Sequence, residues 1–333
     1  MSLGLLLTLG CTPGDYWYFR TDGVDLPVRV EGNLESGVVL LLLHGGPGGS
    51  AVDYNIGLDA ELLEDTYAMA YYDQRGQGGT HGRFDTDRYT VQQVADDNAN
   101  LVRALRARYG DDTSVWLYGH SWGGMLGTAT LLDTDADVDG WIESAGSHDY
   151  PLNDTYSADM LRTVAAEEIE AGGAYTSDWE RIQRRVERIL EDDEITAYES
   201  VDLNIMAYDA EGYVDLAEGE YGEESYFGLF VGNPTSLLTA WWSGLDGSTL
   251  LNEDAQKISY TDRLDEITVP SLFLYGDRDF ICPAQLGLDA YERVSVEEDE
   301  KDFILYEDSG HSLMVNRPRQ YADDIIGFVE DNR

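Results

Sequence analysis

The chain has 333 residues, 43% hydrophobic and 11% aromatic, which is enough to bury a sizeable core and excludes disorder as the main state. At roughly 150 residues per domain, this length suggests two units. Acidic residues number 65 against 21 basic ones, a formal net charge of −44, and Lys257 and Lys301 are the only lysines. A field of this sign repels phosphate backbones and so argues against a nucleic-acid partner, while it attracts cations, including substrates with a free amine. Such acidity also suits a surface kept soluble in high salt, or an exported protein.

Two cysteines, Cys11 and Cys282, exclude a disulfide scaffold and a cysteine-built zinc cluster. No apolar run reaches the ~18 residues of a membrane-spanning helix. Residues 1–15 open with the short run Ser2-Leu3-Gly4-Leu5-Leu6-Leu7-Thr8-Leu9-Gly10-Cys11. It resembles the apolar region of a secretory signal, and its ending resembles a bacterial lipoprotein cleavage site with Cys11 as the lipid-anchored residue. That reading implies a cell-envelope or secreted protein; an ordinary N-terminal tail implies a cytoplasmic one. Globular sequence begins near Tyr16-Trp17-Tyr18-Phe19.

Val38 to Leu43 is a continuous apolar run ending in glycines, which suits a strand buried on both faces. A second strand is expected at Tyr67–Tyr72. Val91, Val94, Leu101, Val102 and Leu105 then recur at helical spacing, and Gly110 closes the helix. Strands follow at Ser114–Tyr118 and Gly140–Ala145, with a helix between them running to about Leu132. From 147 to 259 the texture becomes helical, acidic and aromatic, with Trp179, Trp241 and Trp242. Strand signals return at Val269–Tyr275 and Phe303–Tyr306, and Pro318 to about Glu330 reads as a final helix. This alternation predicts an α/β fold with a mostly parallel central sheet flanked by helices. The core is expected over 16–146 and 260–333, with 147–259 inserted as a helical cap.

Gly119-His120-Ser121-Trp122-Gly123 fits Gly-x-Ser-x-Gly, the nucleophile elbow, and it follows a strand and opens a helix as that motif requires. A serine hydroxyl is a weak nucleophile without a base. Of five histidines, only His148 and His311 follow Ser121, and His311 sits in a loop between the last strand and the last helix. His311 is the expected base. Asp279 is the expected acid, with Asp277 and Asp308 as alternatives; Asp277 sits in the tight turn, where an aspartate tends to cap its own backbone. Backbone N–H groups of Gly46, in His44-Gly45-Gly46-Pro47-Gly48, and of Trp122 are the expected oxyanion donors. His44 and Arg75 read as structural, and Cys282 as a small buried residue. No metal or organic cofactor is implied.

Together, His44-Gly45-Gly46-Pro47-Gly48, Asp73-Gln74-Arg75-Gly76, Gly119-His120-Ser121-Trp122-Gly123-Gly124, Gly276-Asp277-Arg278-Asp279 and Gly310-His311 resemble the proline iminopeptidase branch of the α/β-hydrolase superfamily, peptidase family S33. The resemblance covers about residues 20–330 and implies an α/β-hydrolase fold and an aminopeptidase acting on a small peptide or aminoacyl substrate. Members hold the substrate's amine with cap glutamates, and a cap motif reads Glu-Asn-His-Tyr-Phe. Here Glu223-Glu224-Ser225-Tyr226-Phe227 keeps Glu, Tyr and Phe. By that resemblance Glu223 and Glu224 would read the amine, while Tyr226, Phe227, Trp241 and Trp242 would line a pocket for a proline-like ring. An esterase, lactonase or amidase on the same scaffold is the rival enzyme reading. A binding protein that keeps the fold is the non-enzymatic one. Epoxide and haloalkane hydrolases would carry Asp in place of Ser121.

Overall fold

The structure is a computed structural model and describes residues 14–82, 85–191, 194–219 and 249–333. Cys11, Glu223, Glu224, Tyr226, Phe227, Trp241 and Trp242 lie outside the described residues. Among the described residues nine strands form one sheet: β1 (Asp15–Thr21), β2 (Val24–Gly32), β3 (Val38–Leu43), β4 (Ala68–Tyr72), the two-residue β5 (His81–Gly82), β6 (Ser114–His120), β7 (Gly140–Ser144), β8 (Ser271–Gly276) and β9 (Lys301–Tyr306). Their order is β1-β2-β4-β3-β6-β7-β8-β9, with β5 beside β2. From β4 to β9 the pairing is parallel, and β1 and β2 add an antiparallel hairpin at one edge. Asp22 and Gly23, both at positive φ, make its two-residue turn, which matches the twist of the flanking strands.

The continuous apolar run of β3 is explained by what covers it. Val39, Leu41 and Leu43 enter the core on one face of the sheet, and Val38, Leu40 and Leu42 enter a second core on the other. Each such side chain contributes about 2 kcal/mol by leaving water. The first face is covered by α2 (Val91–Tyr109), α3 (Trp122–Asp133) and α7 (Ala284–Arg293), and the second by α1 (Leu58–Thr66) and α9 (Pro318–Asn332). A short α8 (Leu313–Asn316) precedes α9. Among the described residues no helix is long and apolar enough to cross a membrane.

Between β7 and β8 the chain forms α4 (Tyr150–Ala171), α5 (Thr176–Ile189) and α6 (Ala197–Glu211), and 249–255 is helical as well. Asp149 caps α4 by accepting from Leu152 N, and Thr196 with Glu199 forms a capping box on α6. Helix α5 buries Trp179, Ile182, Val186 and Ile189 along one stripe against Ala158, Leu161 and Ala165 of α4. Two side chains of α4 reach the loop after β8: Asn153 Nδ2 donates to Ile281 O (3.0 Å) and Ser157 Oγ to Phe280 O (2.7 Å). This inserted region is therefore fastened to the loop that carries Asp279.

Candidate active site

Ser121 stands between β6 and α3 with φ 57° and ψ −120°, a region a non-glycine residue enters only where the surroundings hold it. The flanking glycines make that turn possible. A Cβ on Gly119 would lie 2.4 Å from Gly123 O, and one on Gly123 would lie 1.9 Å from Leu43 O. Ser121 N donates to Ser144 O (3.1 Å), which fastens the tip to β7. Trp122 opens α3, so amide groups and the positive end of the helix dipole lie behind the serine.

Asp279 and His311 come from different loops, after β8 and β9, and meet in the fold. His311 Nδ1–H donates to Asp279 Oδ2 at 3.0 Å. The other carboxylate oxygen accepts from Ile281 N (2.9 Å) and Cys282 N (2.8 Å), which fixes the plane of the group. Both side chains are buried, and His311 Nε2 has no hydrogen-bond partner among the described residues. The His311 ring lies against that of His120, the residue before Ser121, with centroids 4.8 Å apart, so the histidine loop packs on the elbow. Burial works to lower the His311 pKa, but the charge and hydrogen bond of Asp279 and the charge of Glu211 outweigh it, and the net shift is upward. Asp277 accepts from Ser309 N (3.2 Å) and ties the two loops together, whereas Asp308 lends its carbonyl to Ala217 N (2.7 Å).

The glycine loop after β3 is braced from the segment after β4. Gln74 Nε2 donates to His44 O (2.9 Å), and Gln74 Oε1 accepts from Trp122 Nε1 (3.0 Å). Gly48 N donates to Gln77 Oε1 and Gly45 N to Tyr54 Oη (2.8 Å). Those two bonds fix the glycine loop beside Ser121. Arg75 makes a two-pronged, buried ion pair with Asp97, both bonds 2.8 Å long. The Asp-Gln-Arg-Gly segment therefore supports the loop from behind.

Ser121, Gly46 and Trp122 line a cavity of about 470 Å³ together with Tyr150, Asp154, Tyr198, Ser200, Tyr208, Glu253, Gln256, Ile281 and Cys282. Asp154 accepts from Ser200 Oγ (3.0 Å) and Gln256 Nε2 (3.2 Å), and burial pushes its carboxyl up to about 6. Burial also pushes the Cys282 thiol up, consistent with an inert wall residue. Among the described residues no group of His, Cys, Asp and Glu side chains is arranged to hold a metal ion.

Three residues of this region carry no local sequence signal. Glu211, at the end of α6, accepts from His311 N at 2.6 Å; burial, followed by the charge of Asp279, pushes its carboxyl up to about 7. Tyr54 and His120 lie behind the elbow, hydrogen-bonded to each other. An acid in an acid-rich helix and a histidine ahead of the nucleophile look ordinary until the fold assembles them.

A mostly parallel sheet that turns into a helix through a positive-φ serine, beside a glycine loop and a buried Asp–His pair, defines the α/β hydrolase class. The α/β hydrolase family pattern matches residues 40–324, and the chain belongs to that family. It is 25% identical to a proline iminopeptidase of Heyndrickxia coagulans over 88% of this chain and 91% of that protein. Among solved structures it resembles a proline iminopeptidase-related protein of Thermus thermophilus (TM-score 0.59, 19% identity, 96% of this chain and 98% of that one). It also resembles an esterase of Exiguobacterium antarcticum (TM-score 0.60, 18% identity, 95% and 99%). The chain is thus a hydrolase-family protein similar to the proline iminopeptidase branch.

Proposed function

We propose that the chain is a serine hydrolase that releases proline or another first residue from short peptides through an acyl-enzyme. The observation that carries this reading is the buried Asp279–His311 pair packed against the elbow of Ser121, which itself opens on the cavity. In the proposed reaction His311 Nε2 takes the proton of Ser121 Oγ as that oxygen bonds to the carbonyl carbon of the first residue. The oxygen that becomes negative rests on Gly46 and Trp122 N–H, each worth about 3 kcal/mol in the transition state. His311 then gives its proton to the departing amine, and water repeats the cycle to free the acid.

In this reading 147–259 is the cap over a core of 16–146 and 260–333. The amine is read by cap carboxylates, Glu223 and Glu224 by resemblance, with Tyr226 and Phe227 against the side chain. Asp154 and Glu253 supply further carboxylates in the cavity lining. A lipid anchor at Cys11 belongs to the same proposal and is tested by labelling the expressed protein with radioactive palmitate.

The deciding experiment is a panel of aminoacyl-naphthylamides, free and N-acetylated, with wild type and Ser121→Ala. The substitution should lower kcat on the order of 10⁴-fold, and acetylation should slow hydrolysis at least tenfold. Equal rates on free and blocked substrates reject the amine-reading cap. Ester hydrolysis is the second reading, favoured by the apolar part of the cavity lining around Trp122, Tyr150, Val201 and Ile281. Faster turnover of p-nitrophenyl esters than of every aminoacyl amide would favour it.

A further inference from the structure

Behind the nucleophile a chain of hydrogen bonds links three loops distant in sequence. Gly45 N–H donates to Tyr54 Oη (2.8 Å), Tyr54 Oη lies 2.8 Å from His120 Nδ1, and His120 Nε2 lies 2.9 Å from His311 O. The direction of each bond follows from chemistry. A carbonyl only accepts, so His120 Nε2 carries a hydrogen. Burial, followed by the charge of His311, lowers the His120 pKa to about 3, so the ring holds a single hydrogen at working pH. Nδ1 is therefore bare and accepts the Tyr54 hydroxyl hydrogen, while the hydroxyl oxygen takes the Gly45 N–H. Every donor and acceptor in the chain is used once, and both histidines in it are buried.

The ends of this chain matter. Gly45 precedes Gly46 in the glycine loop, and His311 carries the imidazole held by Asp279. The middle is the residue next to Ser121. Packing supports the same linkage: the Tyr54 and His120 rings meet edge to face at 5.5 Å, and the His120 and His311 rings lie 4.8 Å apart. A Cβ on Gly45 would fall 2.6 Å from Tyr54 Oη and 3.2 Å from Ser121 Cβ, so glycine is required for the hydroxyl to reach that amide.

We propose that Tyr54 and His120 are positioning residues that set the oxyanion loop and the base loop in one register about Ser121. The proposal rests on the serine-hydrolase reading. It assigns a task to the variable position of Gly-x-Ser-x-Gly, and to a tyrosine that no motif singles out. Neither side chain exchanges a proton with the substrate. They act by holding Gly45 and the His311 carbonyl where the donor beside one and the imidazole beside the other suit the same transition state.

The test compares wild type, Tyr54→Phe, His120→Gln, His120→Ala and the double variant Tyr54→Phe/His120→Gln. Glutamine places an amide N–H near the position of imidazole Nε2 and keeps the bond to His311 O, so it is the conservative rescue; alanine keeps neither bond. Each is assayed for the rate of labelling by a fluorophosphonate probe and for kcat and KM on the preferred substrate, corrected for folded protein by circular dichroism. Tyr54→Phe and His120→Ala should lower the labelling rate and kcat about tenfold or more, with KM within about twofold. His120→Gln should recover part of the His120→Ala loss. The double variant should lose no more than the worse of its two singles, because one linkage is cut in both. Wild-type labelling with undiminished variants, losses that multiply, or losses confined to KM would overturn the proposal. Absence of labelling in wild type would overturn the serine-hydrolase reading itself.

Discussion

Substituting Asp279 by Asn tests the acid–base pair with almost no change of shape. The Asp279 Oδ1 position accepts from two backbone amides, Ile281 N at 2.9 Å and Cys282 N at 2.8 Å. An asparagine will keep its carbonyl oxygen there, since turning the amide over would set its NH2 against two N–H donors. The NH2 then faces His311 Nδ1 across the 3.0 Å contact and donates to it. The imidazole hydrogen must move to Nε2, and the ring can no longer take a proton from Ser121. A comparable tautomer trap lowers kcat by about 10⁴, which at 1.36 kcal/mol per tenfold step is about 5 kcal/mol of barrier. The assay is single-turnover release of naphthylamine from the preferred aminoacyl-naphthylamide, run from pH 5 to 10. In the proposed reaction His311 acts as a base when neutral, and its pKa is raised, so wild-type activity should climb with pH through a midpoint above 6.5. In Asp279→Asn the largest upward influence is gone and burial remains, so the midpoint of the residual activity should move to lower pH. Asp277→Asn, which weakens a bond to Ser309 N and removes an ion pair with Arg278, should cost less than tenfold. A loss under tenfold for Asp279→Asn, or an equal loss at Asp277, would refute the assignment.

Glu211→Gln should also lower the midpoint of the pH–rate profile, because the Glu211 charge helps raise the His311 pKa, while the amide oxygen can still accept from His311 N; an unmoved midpoint would remove Glu211 from the electrostatics of the site. Glu143 is fully buried, accepts from Tyr275 Oη at 2.8 Å, and is pushed by burial up to about 7. With a folded pKa above the unfolded value, its ionisation disfavours the fold as pH rises from about 4.5 to 7, by about 3 kcal/mol in all, so Glu143→Gln should flatten the urea-measured stability across that window. Asp97→Asn should cost about 3 kcal/mol or more in the same assay, because it leaves the Arg75 guanidinium buried without its counter-charge.

What could be read in the sequence was whatever local burial or backbone geometry imposes on neighbouring residues. A strand covered on both faces must be apolar throughout, and β3 is. A sharp strand-to-helix turn needs glycines on either side of its tip, and Gly119 and Gly123 meet backbone at distances no other residue tolerates. The hairpin of β1 and β2 left a weaker trace. Outward tyrosines such as Tyr16 and Tyr18 alternate there with half-covered neighbours at the sheet edge, so no continuous apolar run marks it.

Other choices belonged to the tertiary structure. Asp277 and Asp279 stand two residues apart in one turn, and turn chemistry favours Asp279 as the partner of His311 without fixing where either carboxylate points. Their tasks differ because the amides of Ile281 and Cys282 turn one carboxylate toward His311, while Ser309 N draws the other aside. Glu211 reaches the histidine loop across 100 residues, and His120 meets the His311 carbonyl across 191. Periodicity and motif spacing report what a residue's neighbours along the chain require. A bond between groups so far apart depends on how helices and strands stack against the sheet, and only the packed fold sets that distance.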